Sequence, residues 1–414
     1  MGADAKLANN QALAIHPSYY LRNFMLREMN SKWLELSIKG QYNVALGLLR
    51  DKQYELACER LEAMVEHEVL FPSWVFDIFI TTFTRLGFLD EALEILQMQR
   101  RLVKPARTAS LNVMYYMLDE GSRALHHEAT SYIWREMVDT NILNPSDGIT
   151  SNALNTFSRH GDVELATKAI QLLSSRSVKL GIHHYEALID CYAINEDLDN
   201  ALKVLCIMDA AGLRMDRSST RSIYTLMMRL DQNDRAVKAV YALGNHHEIP
   251  IAAFNVVIEA LSMSGDMDRA IHLYQRIGHL RQAGPDLETF ELLLGRLPRG
   301  KIVDFLLAEM ASFSLEPTQG MRDLVVRSYA LDASSTLDDA FRVLRAIEDK
   351  AKESDTDSWI SKATVLSLIE RCFKDEDARV WSVVNRARLH VPEIEDEVRR
   401  LSAKWDPAIG SQQA

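Results

Sequence analysis

Residues 251–286 read IAAFNVVIEALSMSGDMDRAIHLYQRIGHLRQAGPD. An apolar run, FNVVIEAL, ends at the breaker SMSGDM, an acid follows, and a second helical run begins with Ala270 in its first turn. Gly265 can take the positive φ that ends a helix. Asp268 then faces the positive end of the next helix dipole, worth about 0.3–1 kcal/mol. The small Ala270 lets the second helix lie close against the first, and Pro285 cannot continue it. The stretch predicts two helices packed as a pair within about 35 residues.

The same grammar recurs along the chain. Its alanine appears as Ala57, Ala92, Ala129, Ala166, Ala201, Ala236, Ala270 and Ala340, separated by 35, 37, 37, 35, 35, 34 and 70 residues, the last step being two periods. Asp90, Glu164, Asp199, Asp268 and Asp338 open the second helices, and Gly87, Gly161 and Gly265 close the first. Counting outward from the alanines gives units at 38–72, 73–107, 108–147, 148–181, 182–216, 217–250, 251–286, 287–318 and 319–355. A single pair cannot bury its own apolar face, so neighbours must stack. The expectation is an all-α fold: an α-solenoid of about nine helix-turn-helix repeats forming a right-handed superhelix, its first helices lining the concave side. Around the array at 38–355, residues 1–37 read as an N-terminal extension and capping helix. Residues 356–404 read as C-terminal capping helices and 405–414 as a flexible tail, with 350–358, KAKESDTDS, as a linker.

Composition agrees with helices and narrows the chemistry. Of 414 residues 47% are apolar and 25% charged, and only 27 are Gly or Pro, which disfavours turn-dense β folds. The net charge of −11 argues against nucleic-acid binding by bulk charge, leaving local basic stripes as the route to a polyanion. No stretch reaches the roughly 18 uncharged apolar residues of a membrane span. Cys58, Cys191, Cys206 and Cys372 form no CxxC pair and read as buried free thiols.

The stretch Gly295 to Lys301 spells GxxxxGK, but Ile302 stands where a phosphate loop needs Ser or Thr, and no strand precedes it. The pairs His126-His127, His183-His184 and His246-His247 lack a completing Cys or carboxylate set. No metal, cofactor, small-molecule substrate or catalytic constellation is expected, and the chain does not read as an enzyme. The stretch 119–128, DEGSRALHHE, reads either as a partner loop or as a longer helix turn.

A 35-residue helix pair with an aromatic near its start, a GxxDxA turn and a Pro/Asp ending resembles the pentatricopeptide repeat family. The resemblance is clearest at 182–216 and 251–286. It implies binding of single-stranded RNA along the concave face, one base per repeat. It further implies a mitochondrial role in transcript stabilisation, processing or translation, although MGADAKLANNQALAIHPSYY carries neither a secretory core nor an Arg-rich transit face. By the family's rule, a residue near position five and the last residue of a unit read one base. That implies readout by Asn112 with Asp147, by Asn255 with Asp286, and half a match at Asn152, whose unit ends in Gly181. Tyr42, Asp77, Glu186, Arg221, Glu291 and Asp323 depart from the rule. Phosphate contacts are expected from Arg100, Arg101, Lys104 and Arg107, and from Arg214, Arg217 and Arg221, with Arg296, Arg299 and Lys301 further on. Four carboxylates at readout positions keep a second reading open: a scaffold for protein partners of an organellar ribonucleoprotein or assembly complex.

Overall fold

The computed structural model describes residues 19–69, 71–102, 109–280, 284–297, 300–353, 359–391 and 394–405. These residues form helices and turns, with no strand among them. The chain divides at Asn195/Glu196 into two compact units.

The first unit opens with Tyr19–Ser31, tied to the first pair by a buried ion pair, Arg22 Nη1 to Asp51 Oδ2 at 2.5 Å. Four helix pairs follow: Ile38–Arg50 with Tyr54–Glu66, Trp74–Leu86 with Leu89–Leu102, Leu111–Arg123 with His127–Val138, and Asp147–Arg159 with Val163–Ser175. Ile182–Ile194 closes the unit. The second unit begins with Leu198–Ala210 and continues with Arg217–Leu230 and Asn233–Gly244, Ile251–Met263 and Met267–Leu280, Leu287–Leu294 and Gly300–Ser312, and Gln319–Leu331 and Leu337–Glu353. The helices expected at the C-terminus are Lys362–Lys374, Val380–His390 and Glu395–Trp405. All eighteen helices of the nine expected pairs are therefore present, and eight of the pairs lie within a single unit. Leu337–Glu353 runs into the stretch expected as a linker, whose remainder, 354–358, lies outside the described residues, as do 406–414.

Two features of the sequence explain the pairs. All eight register alanines have no exposed surface, and within the units each sits where a second helix crosses its first. The turns between helices pass through positive φ at Gly87, Gly161 and Gly265, as expected, and also at Lys52, Leu125, Glu196 and Asp231. A start signal is just as regular. Ser37, Ser110, Ser146, Asp216, Asp286, Thr318 and Ser361 each precede a first helix, and their side chains accept from a backbone N–H two or three residues on. Gly181 and Pro250 hold the same place without a side-chain bond. Before Trp74–Leu86, Ser73 is already helical and the carbonyl of Pro72 accepts from Val75, so that unit counts from Pro72.

Within each unit, first helices pack on the first helices of adjacent pairs: Asp147–Arg159 touches Leu111–Arg123 on one side and Ile182–Ile194 on the other. At the turns, polar contacts, most of them exposed, link successive second helices: Asp90 with His126, His127 with Asp162, Asp199 with Arg235, Asp234 with Arg269, and Asp338 with Arg379. Each is worth at most about 1 kcal/mol. The third pair carries a local departure. Its second helix finishes in a π turn, Trp134–Val138, which takes up an extra residue, with Trp134 buried edge-on to Phe157 at 5.4 Å. The stretch 119–128 is neither a loop nor a longer turn: Leu111–Arg123 passes through Ala124–His126 directly into His127–Ile133.

Candidate nucleic-acid interface

Counting from the caps gives every first helix one numbering. The third and fourth residues after the cap are buried in most units, the seventh is buried in all, and the fifth lies between the buried stripes. The fifth residues are Tyr42, Asp77, Tyr115, Ser151, Glu186, Arg221, Asn255, Glu291 and Asp323. Where this side chain is polar and short, it meets the start of the next first helix. Asp77 Oδ1 accepts from Ser110 N at 3.3 Å, and Ser151 Oγ lies 3.4 Å from His184 Nε2. Asp323 accepts from the backbone N–H and the hydroxyl of Ser361, both at 2.8 Å.

Asn255 and Asp286 lie within hydrogen-bond reach of each other. Asn255 Nδ2 donates to Asp286 Oδ1 at 3.2 Å, and Thr289 Oγ1 donates to Asn255 Oδ1 at 2.7 Å. Asn255 is only 4% exposed, so one donor and one acceptor are already used inside the protein. The other sequence-derived residues fall in a shifted register. Asn112 is exposed in the first turn, three residues before Tyr115. Asn152 lies one residue past Ser151, and Asp147 one past the cap Ser146, with its carboxylate bonded to Arg176 Nη1 at 2.8 Å. The structure thus does not bring Asn112 and Asp147 into the arrangement of Asn255 and Asp286. It gives Asp323 a partner, Ser361, which counting along the sequence did not find.

The expected phosphate contacts separate in the same way. Arg100 Nη1 is bonded to Glu136 Oε2 at 2.5 Å, and its guanidinium lies 5.2 Å from the centre of the Tyr132 ring. Arg217 Nε donates to Glu288 Oε1 at 2.7 Å, reaching from the start of one first helix past the next pair to the one beyond. That contact joins a mixed-charge cluster in which burial pushes the Glu259 carboxyl up, opposed by Arg217. Arg101, Arg214, Arg221 and Lys301 are exposed, and so is Arg296. Lys104, Arg107 and Arg299 lie outside the described residues.

A different basic row emerges from the caps. The thirteenth residue of the first helices is Arg50, Arg85, Arg123 and Arg159, all exposed, one per pair in the first unit. It lies two turns beyond the fifth residue and about 80° around the helix, on the same broad face. Arg123 is held by Asp119 and Glu120 of its own helix, whereas Arg85 and Arg159 have no ion-pair partner among the described residues. Spacing alone could have found this row once the cap serines were used as the ruler.

The remaining chemistry is quiet. The four cysteines are free, and burial pushes the thiols of Cys191 and Cys372 up to about 12, far from the thiolate form. No group of His, Cys, Asp and Glu suited to a metal ion occurs among the described residues, and none of the helices searched is long and apolar enough to cross a membrane.

Comparison with known proteins adds a family to this geometry. Residues 147–277 match the family model described as pentatricopeptide repeat-containing protein. No curated protein matches the chain. Among solved structures, the pentatricopeptide repeat protein PPR10 from maize is similar over 96% of this chain, with 15% identity and a TM-score of 0.36. The same protein in complex with an 18-nt psaJ RNA element has 17% identity, 97% coverage and a TM-score of 0.35. Yeast Rmd9p, in complex with a 16-nt target RNA, is similar over 97% of this chain and 91% of its own, with 13% identity and a TM-score of 0.43. The chain spans 61% of the length of PPR10. Residues 147–277 are thus similar to pentatricopeptide repeats.

Proposed function

We propose that the protein binds single-stranded RNA along the face of its first helices and acts in organellar, specifically mitochondrial, gene expression. One observation carries the reading: the first unit presents one exposed arginine per helix pair, Arg50, Arg85, Arg123 and Arg159, beside one fifth-position side chain per pair. A strand passing along such a face meets a cation at each step and one side chain able to stack on or bond a base, which suits a pentatricopeptide mode of one base per repeat. Tyr115, half-exposed in the row, offers a stacking surface, and Asp286, held by Asn255, offers a base-edge contact. Asn112, Asp147 and Asn152 stand beside this row as further contacts. The role in transcript stabilisation, processing or translation follows the family.

A scaffold for protein partners is the second reading, favoured by Asp77, Glu186, Glu291 and Asp323 in the fifth-position row and by the net charge of −11. Fluorescence anisotropy with U-rich and A-rich single-stranded RNA across a salt series separates the two. RNA binding requires a negative slope of log affinity against log salt, about 0.7 per phosphate contact for single strands. Absence of binding at about 50 mM salt, where screening is weak, would leave the scaffold.

A further inference from the structure

The ion pairs between successive second helices have a gap at the N-terminal end. In Asp199–Arg235 and Asp234–Arg269, the acid two residues before one register alanine meets the arginine one residue before the next. Between the first and second pairs those places hold Glu55 and Glu91, both exposed and both acidic, with no hydrogen-bond or ion-pair partner among the described residues. The two carboxylates border a cleft of about 610 Å³ walled by Tyr54, Phe83 and Phe88. Tyr54 lies 5.8 Å from Phe83 and 6.2 Å from Phe88, ring centre to ring centre, and Phe88 is 43% exposed. Cys58 at the cleft reports the local field: burial and the carboxylates of Glu62, Glu91 and Glu94 push its thiol up to about 11. Against these acids Lys52 is the one cation among the lining residues.

The chain itself shows what fills such a place. In the second unit Arg379 bonds Asp338, the residue equivalent to Glu55, at 2.7 Å, and also Asp377. Its guanidinium lies 4.2 Å from the centre of the Phe341 ring, one residue past the register alanine. Two carboxylates and an aromatic face hold one arginine there; at the first two pairs two carboxylates again border aromatic rings, those of Tyr54, Phe83 and Phe88, with Cys58 in the place of Phe341. We infer that the cleft between the first two helix pairs is a docking site for an arginine side chain of a basic segment in a partner protein. Arginine fits better than lysine because its planar fork can stack on Phe88 or Tyr54 while meeting two carboxylates. The inference is independent of RNA binding, since Glu55 and Glu91 lie on second helices.

The test titrates the full chain by calorimetry with a short acetylated peptide, Gly-Ala-Arg-Ala-Gly, and with the same peptide carrying citrulline, which keeps the shape and removes the charge. The arginine peptide is expected to bind, with the citrulline peptide about tenfold weaker. Glu91→Arg supplies the missing internal partner and is expected to abolish peptide binding while raising the melting temperature. Glu55→Gln with Glu91→Gln, exposed changes that disturb no packing, is expected to weaken binding by the same factor as citrulline. Equal affinity for the two peptides, or full binding by Glu91→Arg, would overturn the inference. Ethylguanidinium binding as tightly as the peptide would overturn the protein source in favour of a small cation.

Discussion

In the unit Met1–Asn195 the thirteenth residues of the first helices are Arg50, Arg85, Arg123 and Arg159, then Ile194; in the unit Glu196–Ala414 they are Arg229, Met263, Leu331 and Lys374, while the eight-residue helix Leu287–Leu294 ends before that position. The helices are alike and capped alike, yet one unit offers a cationic row and the other an interrupted one. In the second unit, moreover, Arg217 is engaged with Glu288, which lies beyond the intervening pair. The difference teaches that the buried stripes fix the fold, while the residues between them vary freely and set what each face can hold. The two units are therefore expected to respond differently to the same kind of change.

The largest effect is expected at the register alanines. Ala166→Leu in the first unit and Ala236→Leu in the second each push a side chain into a crossing with no exposed surface. Each should cost about 1–3 kcal/mol. Because repeats couple to their neighbours, hydrogen exchange should rise first around the substituted pair and fade along its unit. Uniform exchange across the whole chain would contradict that picture.

Glycine turns sharpen the comparison next. Gly161 has φ +73°, and a Cβ there would meet Ile194 Cγ2 at 2.9 Å, whereas Gly265, at φ +81°, has open space around it. Gly265→Ala should cost about 1–2 kcal/mol for the left-handed backbone alone. Gly161→Ala should exceed it, as chemical denaturation would register. Equal losses would show that Ile194 yields without strain.

On the binding side, Arg85→Gln with Arg159→Gln should flatten the salt dependence by about 1.4 in slope if each contacts a phosphate. Met263→Gln with Leu331→Gln, at the same positions in the second unit, should leave it unchanged. A smaller gain is expected from Glu288→Gln, which releases Arg217. The pair is exposed and worth at most about 1 kcal/mol, so RNA affinity should rise no more than about fivefold. A loss of affinity would mean that the bridge holds the face in its binding shape.

How far the residues spoke for themselves differs between fold and site. The alanine register marked eight of the nine pairs, because a close helix crossing tolerates nothing larger, and the unit 287–318, which lacks the alanine, showed only as a doubled step. The site residues slipped. Asn112 follows from a unit start at 108, but the cap is Ser110. Asp147 slipped by one because the π turn Trp134–Val138 absorbs a residue inside the helix, which a count along the chain assigns to the loop. Arg100 and Arg217 looked available because their partners, Glu136 and Glu288, stand 36 and 71 residues away. The arginine row went unnoticed since its regularity appears only once each cap has been found.

The smallest expected effect concerns acid, and it belongs to the first unit alone. His184 is buried at the start of Ile182–Ile194, its Nδ1 accepting from Gly181 N at 3.0 Å, its Nε2 facing Ser151 Oγ, and its ring 3.9 Å from that of His183. Burial, with the neighbouring His183, holds it below the ordinary value of 6.5. The folded state thus resists a proton that the unfolded chain accepts. Stability is complete above pH 6.5 and is lost as pH falls from there through the folded value. Melting of the full chain at pH 7.5 and 5.5 should show that loss, and His184→Gln, which cannot charge but can still accept from Gly181, should reduce it. Acid weakening unchanged by His184→Gln would assign the effect to other groups instead.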